Sequence, residues 1–172
     1  MIVFSSDNGF VWGEHRWGNT GPHNKQVPYE ESIRVPFVVR YDPVVASPGT
    51  NDELVLTIDV APTFAELAGA TTPGADGESL VPLLSGGTAN WRTDFLIEHH
   101  ISYVPTYCAV RSRDHAYVQY VTGEEELYVL ADDPYQLENR VSDPALSLVL
   151  STLRSRTVEL CSPPPPDFTP FG

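Results

Sequence analysis

Positive charge is scarce in this chain. Ten Lys and Arg stand against 23 Asp and Glu, giving a formal charge of −13. Binding a phosphate backbone needs clustered Lys and Arg, so nucleic acid and anionic membrane are excluded as main partners. Long apolar runs are also missing. None approaches the roughly 18 residues that a membrane-spanning helix requires. Met1 runs directly into Ile2-Val3-Phe4, without the basic start and small-residue cleavage site of a signal peptide, and the compartment stays unassigned. There are only two cysteines, Cys108 and Cys161. No Cys-x-x-Cys or Cys/His cluster supports a zinc site. Two cysteines so far apart fix neither pairing nor compartment, and two free buried thiols are expected rather than a disulfide. No internal repeat is visible.

What is present suits a globular domain. The 172 residues are 41% hydrophobic, with three Trp, eight Tyr and seven Phe, enough for a real core. Residues 1 to 40 organise the chain. Ile2-Val3-Phe4 is a short apolar run that ends in Ser5-Ser6-Asp7-Asn8-Gly9. It predicts a buried strand that delivers Asp7 and Asn8 at its C-terminal end, with Gly9 turning the chain away. In open α/β sheets ligands bind at that edge. Adjacent carboxylate and amide oxygens suit Ca²⁺ or Mg²⁺, while an Asp-Asn-Gly run is equally an ordinary turn. Residues 10 to 28 read as a loop, punctuated by Gly13, Gly18, Gly21, Pro22 and Pro28. Trp12 is expected to pin that loop to the body, whereas Trp17 could pin it or line a cleft. His15 and His23 are candidate acid–base groups or plain surface histidines. Lys25 is a candidate anion-binding group or a solvated loop lysine.

Farther on, Phe37 to Arg40 reads as a strand. Residues 57 to 69 read as a helix, with Thr57 or Asp59 as its cap, Pro62 in the first turn and Gly69 at the end. Glu30 and Arg34 are four apart and suited to pair on one helical face. Residues 95–99, 108–111, 116–121 and 126–130 read as strands. Residues 144 to 160 carry apolar positions at Leu146, Val149, Leu150, Leu153, Val158 and Leu160, the pattern of an amphipathic helix. His99, His100 and Tyr103 lie in a loop that could reach a site rim. Pro163 to Pro166 begin an extended tail.

The order of these motifs resembles the sulfatase family of the alkaline-phosphatase-like superfamily. The resemblance rests on Ser6-Asp7-Asn8-Gly9, Gly13-Glu14-His15, Lys25, Tyr29-Glu30 with Arg34 and Pro36, Asp59 with Pro62-Thr63, Gly77-Glu78-Ser79-Leu80, and Glu126-Leu127-Tyr128 before Asp133-Pro134 and Asn139. It covers nearly the whole chain but only the C-terminal portion of the family's usual length. It implies an α/β fold: the C-terminal part of an alkaline-phosphatase-like core over residues 1–90, a small antiparallel sheet with a C-terminal helix over 91–161, and a Pro-rich tail over 162–172. It further implies that Asp7 and Asn8 are ligands of Ca²⁺ and that Lys25 reaches the sulfate of a sulfate ester, whereas the family's Gly-Glu-His histidine is not usually among the chemical residues, so that His23 and His15 are candidates by residue type alone.

Two features of the family's site are missing from the sequence. The nucleophile motif, Cys/Ser-x-Pro/Ala-x-Arg, whose first residue becomes formylglycine, has no match. Cys161-Ser162-Pro163 begins like it, but Pro165 stands where arginine is needed. The early Asp-Asp pair that supplies further metal ligands is absent too. Metal binding by this chain alone is therefore expected to be weak, and the isolated chain inactive. A sheet cut at this point exposes an edge, which favours a second chain or self-association. Two alternatives stay open: a phosphodiesterase or phosphonate hydrolase of the same superfamily, and a non-catalytic interaction module.

Overall fold

The structure is a computed structural model, and it describes residues 1–16, 22–87, 90–100 and 103–172, with the side chains of residues 22 and 23 outside that description. In chain order the elements are β1 (Ile2–Phe4), α1 (Glu30–Ile33), β2 (Val38–Arg40), α2 (Val60–Leu67), α3 (Val81–Leu84), β3 (Asp94–His99), β4 (Tyr107–Ser112), β5 (His115–Tyr120), β6 (Glu125–Val129) and α4 (Ser147–Leu160). They fall into two compact units, one of residues 1–7 with 36–92 and one of residues 8–35 with 93–172.

In the first unit β1 and β2 pair antiparallel, with Ile2 opposite Arg40 and Phe4 opposite Val38. The expectation of a buried β1 is corrected here. Ile2, Phe4 and Val38 are 65%, 64% and 60% exposed, because within this unit a two-stranded ribbon with period-2 side chains shields only Val3 and Val39. The helical part of the unit is built on Asp59, which is fully buried. Its carboxylate accepts from the backbone N–H of Leu56 at 2.8 Å and of Glu78 at 2.9 Å, and from the Arg92 guanidinium at 2.5 and 2.7 Å. It thus ties three chain segments together instead of capping α2 from its own first turn, as the sequence suggested. Thr63 donates to the Asp59 carbonyl at 2.6 Å and accepts from Leu80 N–H at 2.8 Å. These bonds explain why Asp59, Thr63 and the Gly77-to-Leu80 run occur together. A side chain at Gly77 would collide with the Ile58 carbonyl, so that approach requires glycine.

The second unit is a four-stranded antiparallel meander, β3-β4-β5-β6. Both of its faces are covered, so β4 and β5 read as nearly continuous buried runs. Alternation still sorts the side chains. Tyr107, Ala109, Ala116, Val118, Tyr120, Tyr128 and Leu130 pack on one face with Val11, Val27, Tyr29 and Val104. On the other, Val110, Tyr117 and Leu127 meet Leu150 and Leu153 of α4. Within α4 the buried positions are 150, 153 and 157. Val158 is exposed, contrary to expectation, because it lies about 100° around the helix from position 157. Thr157 takes that inward place and returns its hydroxyl to the Leu153 carbonyl at 2.8 Å. Asp143 accepts from Ala145 N–H at 2.8 Å, closing the turn in which Pro144 begins the helical run.

Cys108 of β4 and Cys161 at the end of α4 form a disulfide, which corrects the expectation of free thiols. Their separation of 53 residues is closed by α4 running back over the sheet, a three-dimensional proximity that spacing does not encode. The outer edge of β6 is also closed. The Asn139 amide accepts from Leu127 N–H at 3.1 Å and donates to the Glu125 carbonyl at 3.0 Å, and Arg140 N–H reaches the Leu127 carbonyl at 2.7 Å. The tail does not float. Phe168 packs with the disulfide, and the buried Gln119 amide makes two hydrogen bonds to the backbone of Phe171, at 2.5 and 3.0 Å.

Candidate active site

The second unit contains the loop that carries Asn8, His15 and Lys25. Gly9 N–H bonds the Ser32 carbonyl at 2.8 Å, and a Cβ at Gly9 would strike the Glu31 carbonyl. The glycine after Asn8 is thus a close backbone approach to α1, not merely a turn. Val11 N–H bonds the Asn24 carbonyl at 2.9 Å, and the fully buried Asn24 returns its side-chain amide to the Val11 carbonyl at 2.7 Å. On the other side of Lys25, the Tyr107 hydroxyl donates to the Gln26 carbonyl at 3.1 Å, and Val27 is buried in the core. Lys25 itself is exposed. An ammonium is therefore displayed between two anchored neighbours, so less loop entropy is lost when it holds an anion.

His15 lies against α1. Its ring stacks on Tyr29 with centroids 3.7 Å apart, and its Nε2 is 3.3 Å from Glu31 Oε2. The Tyr29 hydroxyl lies 3.2 Å from Glu126 Oε1 in β6. Glu30 pairs with Arg111 at 2.7 Å and its backbone N–H donates to Gln136 Oε1 at 2.7 Å, while the expected i,i+4 pair with exposed Arg34 is looser, at 4.0 Å. The Tyr-Glu motif thus plugs the loop into the sheet. His99 sits at the end of β3 with its ring tilted against Tyr107 at 5.6 Å, and Tyr107 braces the Lys25 loop. Trp12 does not pin anything as expected. It is 73% exposed and touches Phe10, with ring centroids 4.8 Å apart. Trp17 and the His23 side chain lie outside the described residues. Asp7 closes the N-terminal segment of the first unit and Asn8 opens the second.

Asp7 and Asn8 offer oxygen donors suited to a hard cation, but such an ion takes six to eight. Among the described residues, no group of three or more His, Cys, Asp and Glu is placed to hold a metal ion. Two such oxygens fill only part of that shell.

Sequence reasoning missed Asn24, Gln136 and Glu126. The first two are buried polar residues without a motif. Glu126 reads in the sequence as part of a strand and of the Glu126-Leu127-Tyr128 motif, with no role in a site. Its carboxyl lies among Tyr29, Tyr120 and Tyr128, near Tyr107 and His15, and burial raises its pKa above the ordinary 4.5. The folded state then binds a proton that the unfolded state has lost between pH 4.5 and that raised value. Stability from this group is present below the unfolded pKa and is lost as pH rises through the folded one. Glu126→Gln, which cannot ionise, is expected to raise the melting temperature by a few degrees at pH 8 and to change it little at pH 4. Thermal melts across that range check this, and an equal shift at both pH values counts against it.

Residues 13–162 match the family model described as N-sulphoglucosamine sulphohydrolase, C-terminal. The chain is 32% identical over 150 residues to an N-acetylglucosamine-6-O-sulfatase of Bacteroides thetaiotaomicron, covering 81% of this chain and 26% of that protein. A solved structure described as in complex with its substrate D-glucosamine-2-N,6-O-disulfate superposes with a TM-score of 0.85 at 26% identity, over 96% of this chain and 35% of that one. A phosphonate monoester hydrolase of Agrobacterium radiobacter shares the fold, with a TM-score of 0.78 at 24% identity over 94% of this chain and 36% of that one. The chain spans about a quarter to a third of the curated relative and of these structures. Matched over most of its residues, the chain belongs to the sulfatase family and corresponds to the C-terminal portion of its alkaline-phosphatase-like fold.

Proposed function

We propose that this chain supplies the C-terminal part of a sulfatase that hydrolyses sulfate esters, and that it is inactive by itself. The observation that carries the reading is Lys25, exposed between the anchored residues Asn24 and Gln26 on the loop that begins at Asn8. In this reading Lys25 neutralises charge on the sulfate oxygens. Asp7 and Asn8 contribute two oxygens toward Ca²⁺, and the ligands that complete the shell come from outside these 172 residues. When bound, such a cation would supply Lewis-acid polarisation of the sulfate. His23 is carried as a further group for proton transfer, and His15 as one whose contribution runs through Glu31.

The purified chain is expected to leave an aryl sulfate untouched with or without Ca²⁺, while binding inorganic sulfate weakly in a Lys25-dependent way. Lys25→Ala should reduce that affinity about tenfold, the size of a charge-assisted contact. Metal-dependent turnover by the 172 residues refutes the inactivity, and unchanged sulfate affinity in the variant refutes the role of Lys25. Asn8 favours sulfate over the phosphonate alternative, since phosphonate hydrolases and phosphodiesterases of the superfamily more often carry histidine there. Parallel assays with an aryl phosphonate compare the two.

The exposed Ile2, Phe4 and Val38 support a second chain or a second copy over the β1–β2 ribbon. Sedimentation at increasing concentration is expected to show self-association that Phe4→Ser abolishes. Identical monomeric behaviour of both proteins at all concentrations removes the self-association reading.

A further inference from the structure

We propose that residues 162–172 form a strap that gates reduction of the Cys108–Cys161 disulfide. The bond opens to a thiol reductant when the strap lifts, while the sheet and α4 stay folded. Three observations carry this. Neither cysteine reaches solvent, with Cys108 0% and Cys161 1% exposed. The strap leaves Cys161 and returns over the bond. Phe168, 4% exposed, packs with both cysteines and with half-buried Leu96, and its N–H turns back to the Pro165 carbonyl at 3.2 Å. The far end of the strap is tied beside the same bond. Gln119 stands directly opposite Cys108 in the β4–β5 register, so the two side chains share one face of the sheet. Its fully buried amide donates to the Phe171 carbonyl at 2.5 Å and accepts from Phe171 N–H at 3.0 Å.

The strap is the part that gives way first. It holds no strand or helix, and Pro163 to Pro166 have no N–H to offer a ladder. β4 is instead paired along both edges, with β3 and with β5. Cys161 N–H closes the last turn of α4 on the Thr157 carbonyl at 2.9 Å. Segments held by few hydrogen bonds open at a much smaller free energy than the ladders beneath them. Lifting the strap uncovers the sulfur of Cys161, the residue it continues, while Cys108 stays between two strands. One thiolate of a dithiol reductant then attacks Cys161 Sγ. A bond forms between those two sulfurs, the Cys108–Cys161 bond breaks, and its electron pair leaves on Cys108 Sγ, which takes a proton. The second thiolate of the reductant closes on the first sulfur and releases Cys161 as a thiol. Two electrons and two protons pass from the dithiol to the protein, and the reductant departs as a cyclic disulfide. Access to the sulfur, set by the strap, controls the rate.

The test follows reduction of the native 172-residue chain by dithiothreitol at several urea concentrations below the unfolding midpoint, with thiols alkylated and counted by mass. The rate is expected to rise in proportion to dithiothreitol and to change little over the first ~1 M urea, because lifting the strap exposes little surface. Phe168→Ala should raise this rate about tenfold or more, whereas Phe168→Leu, which keeps apolar cover, should stay within about threefold of wild type. Val118→Ala lies on the opposite face of the sheet. It lowers global stability without touching the strap and should leave the urea-independent rate unchanged. The proposal is overturned if the wild-type rate follows urea from the start with the slope of global unfolding, since the bond is then reached only through complete unfolding. That measurement needs no variant, so poor folding of Phe168→Ala does not blunt it. Equal rates in wild type and Phe168→Ala overturn it too, as does equal acceleration by Phe168→Ala and Val118→Ala.

Discussion

Replacing Cys108 and Cys161 together by alanine is expected to destabilise the four-stranded unit by about 4 kcal/mol. The bond spans 53 residues, and the chain-entropy relation gives about that value for a loop of this length. Both cysteines are essentially inaccessible, and they pack with Phe168 and half-buried Leu96. Alanine avoids leaving polar thiols in an apolar cluster, so the loss measured is mainly that of the cross-link. At about 2–4 °C per kcal/mol for a protein of this size, the melting temperature should fall by roughly 10 °C. Wild type melted with a phosphine reductant should approach the variant. A double variant that melts within 2 °C of the oxidised wild type would falsify the assignment. Stability that depends on the bond also bears on where the chain keeps it, since disulfides persist in oxidising compartments and are reduced in most cytosols.

Asp59→Ala is the second large effect, with an expected cost of about 3–5 kcal/mol in the other unit. The aspartate is fully buried, and Arg92 is nearly so, with 10% of its side chain exposed. Removing the carboxylate strands the guanidinium and deprives the backbone N–H groups of Leu56 and Glu78 of their acceptor. Glu78 stands 3.5 Å from Arg92 but is half exposed and offsets little. Adding Arg92→Met to Asp59→Ala should restore about half of the loss, because the unpaired charge goes with it. Urea titrations of the single and double variants measure this coupling. Simple additivity of the two losses would show that the pair does not act as a unit.

These two nodes mark the limit of what the sequence discloses. The strands over Asp94–His99, Tyr107–Ser112, His115–Tyr120 and Glu125–Val129 were legible because β-branched and aromatic residues cluster between turn signals. The helix that follows Asp143-Pro144 was legible from its apolar spacing. Local chemistry decides such features. Asp59 looked like a helix cap because its partners Glu78 and Arg92 are distant in sequence. The same distance hid the Cys108–Cys161 bond. At the candidate site, Asp7, Asn8 and Lys25 stood out through motif order. The residues that hold the loop did not, since Asn24, Gln136 and Glu126 act by burial. Trp12 departs from expectation for a related reason: aromatic residues in loops are usually anchors, and the outward position of this one is set by the fold.

The Gln119 amide has a consequence at the far end of the chain. Its carbonyl and amide together engage the backbone of Phe171, as a neighbouring strand would. Residue 172 therefore departs from a moored position and not from a swinging one. Any peptide joined there starts from a fixed point on the sheet, while Gly172 leaves its direction free.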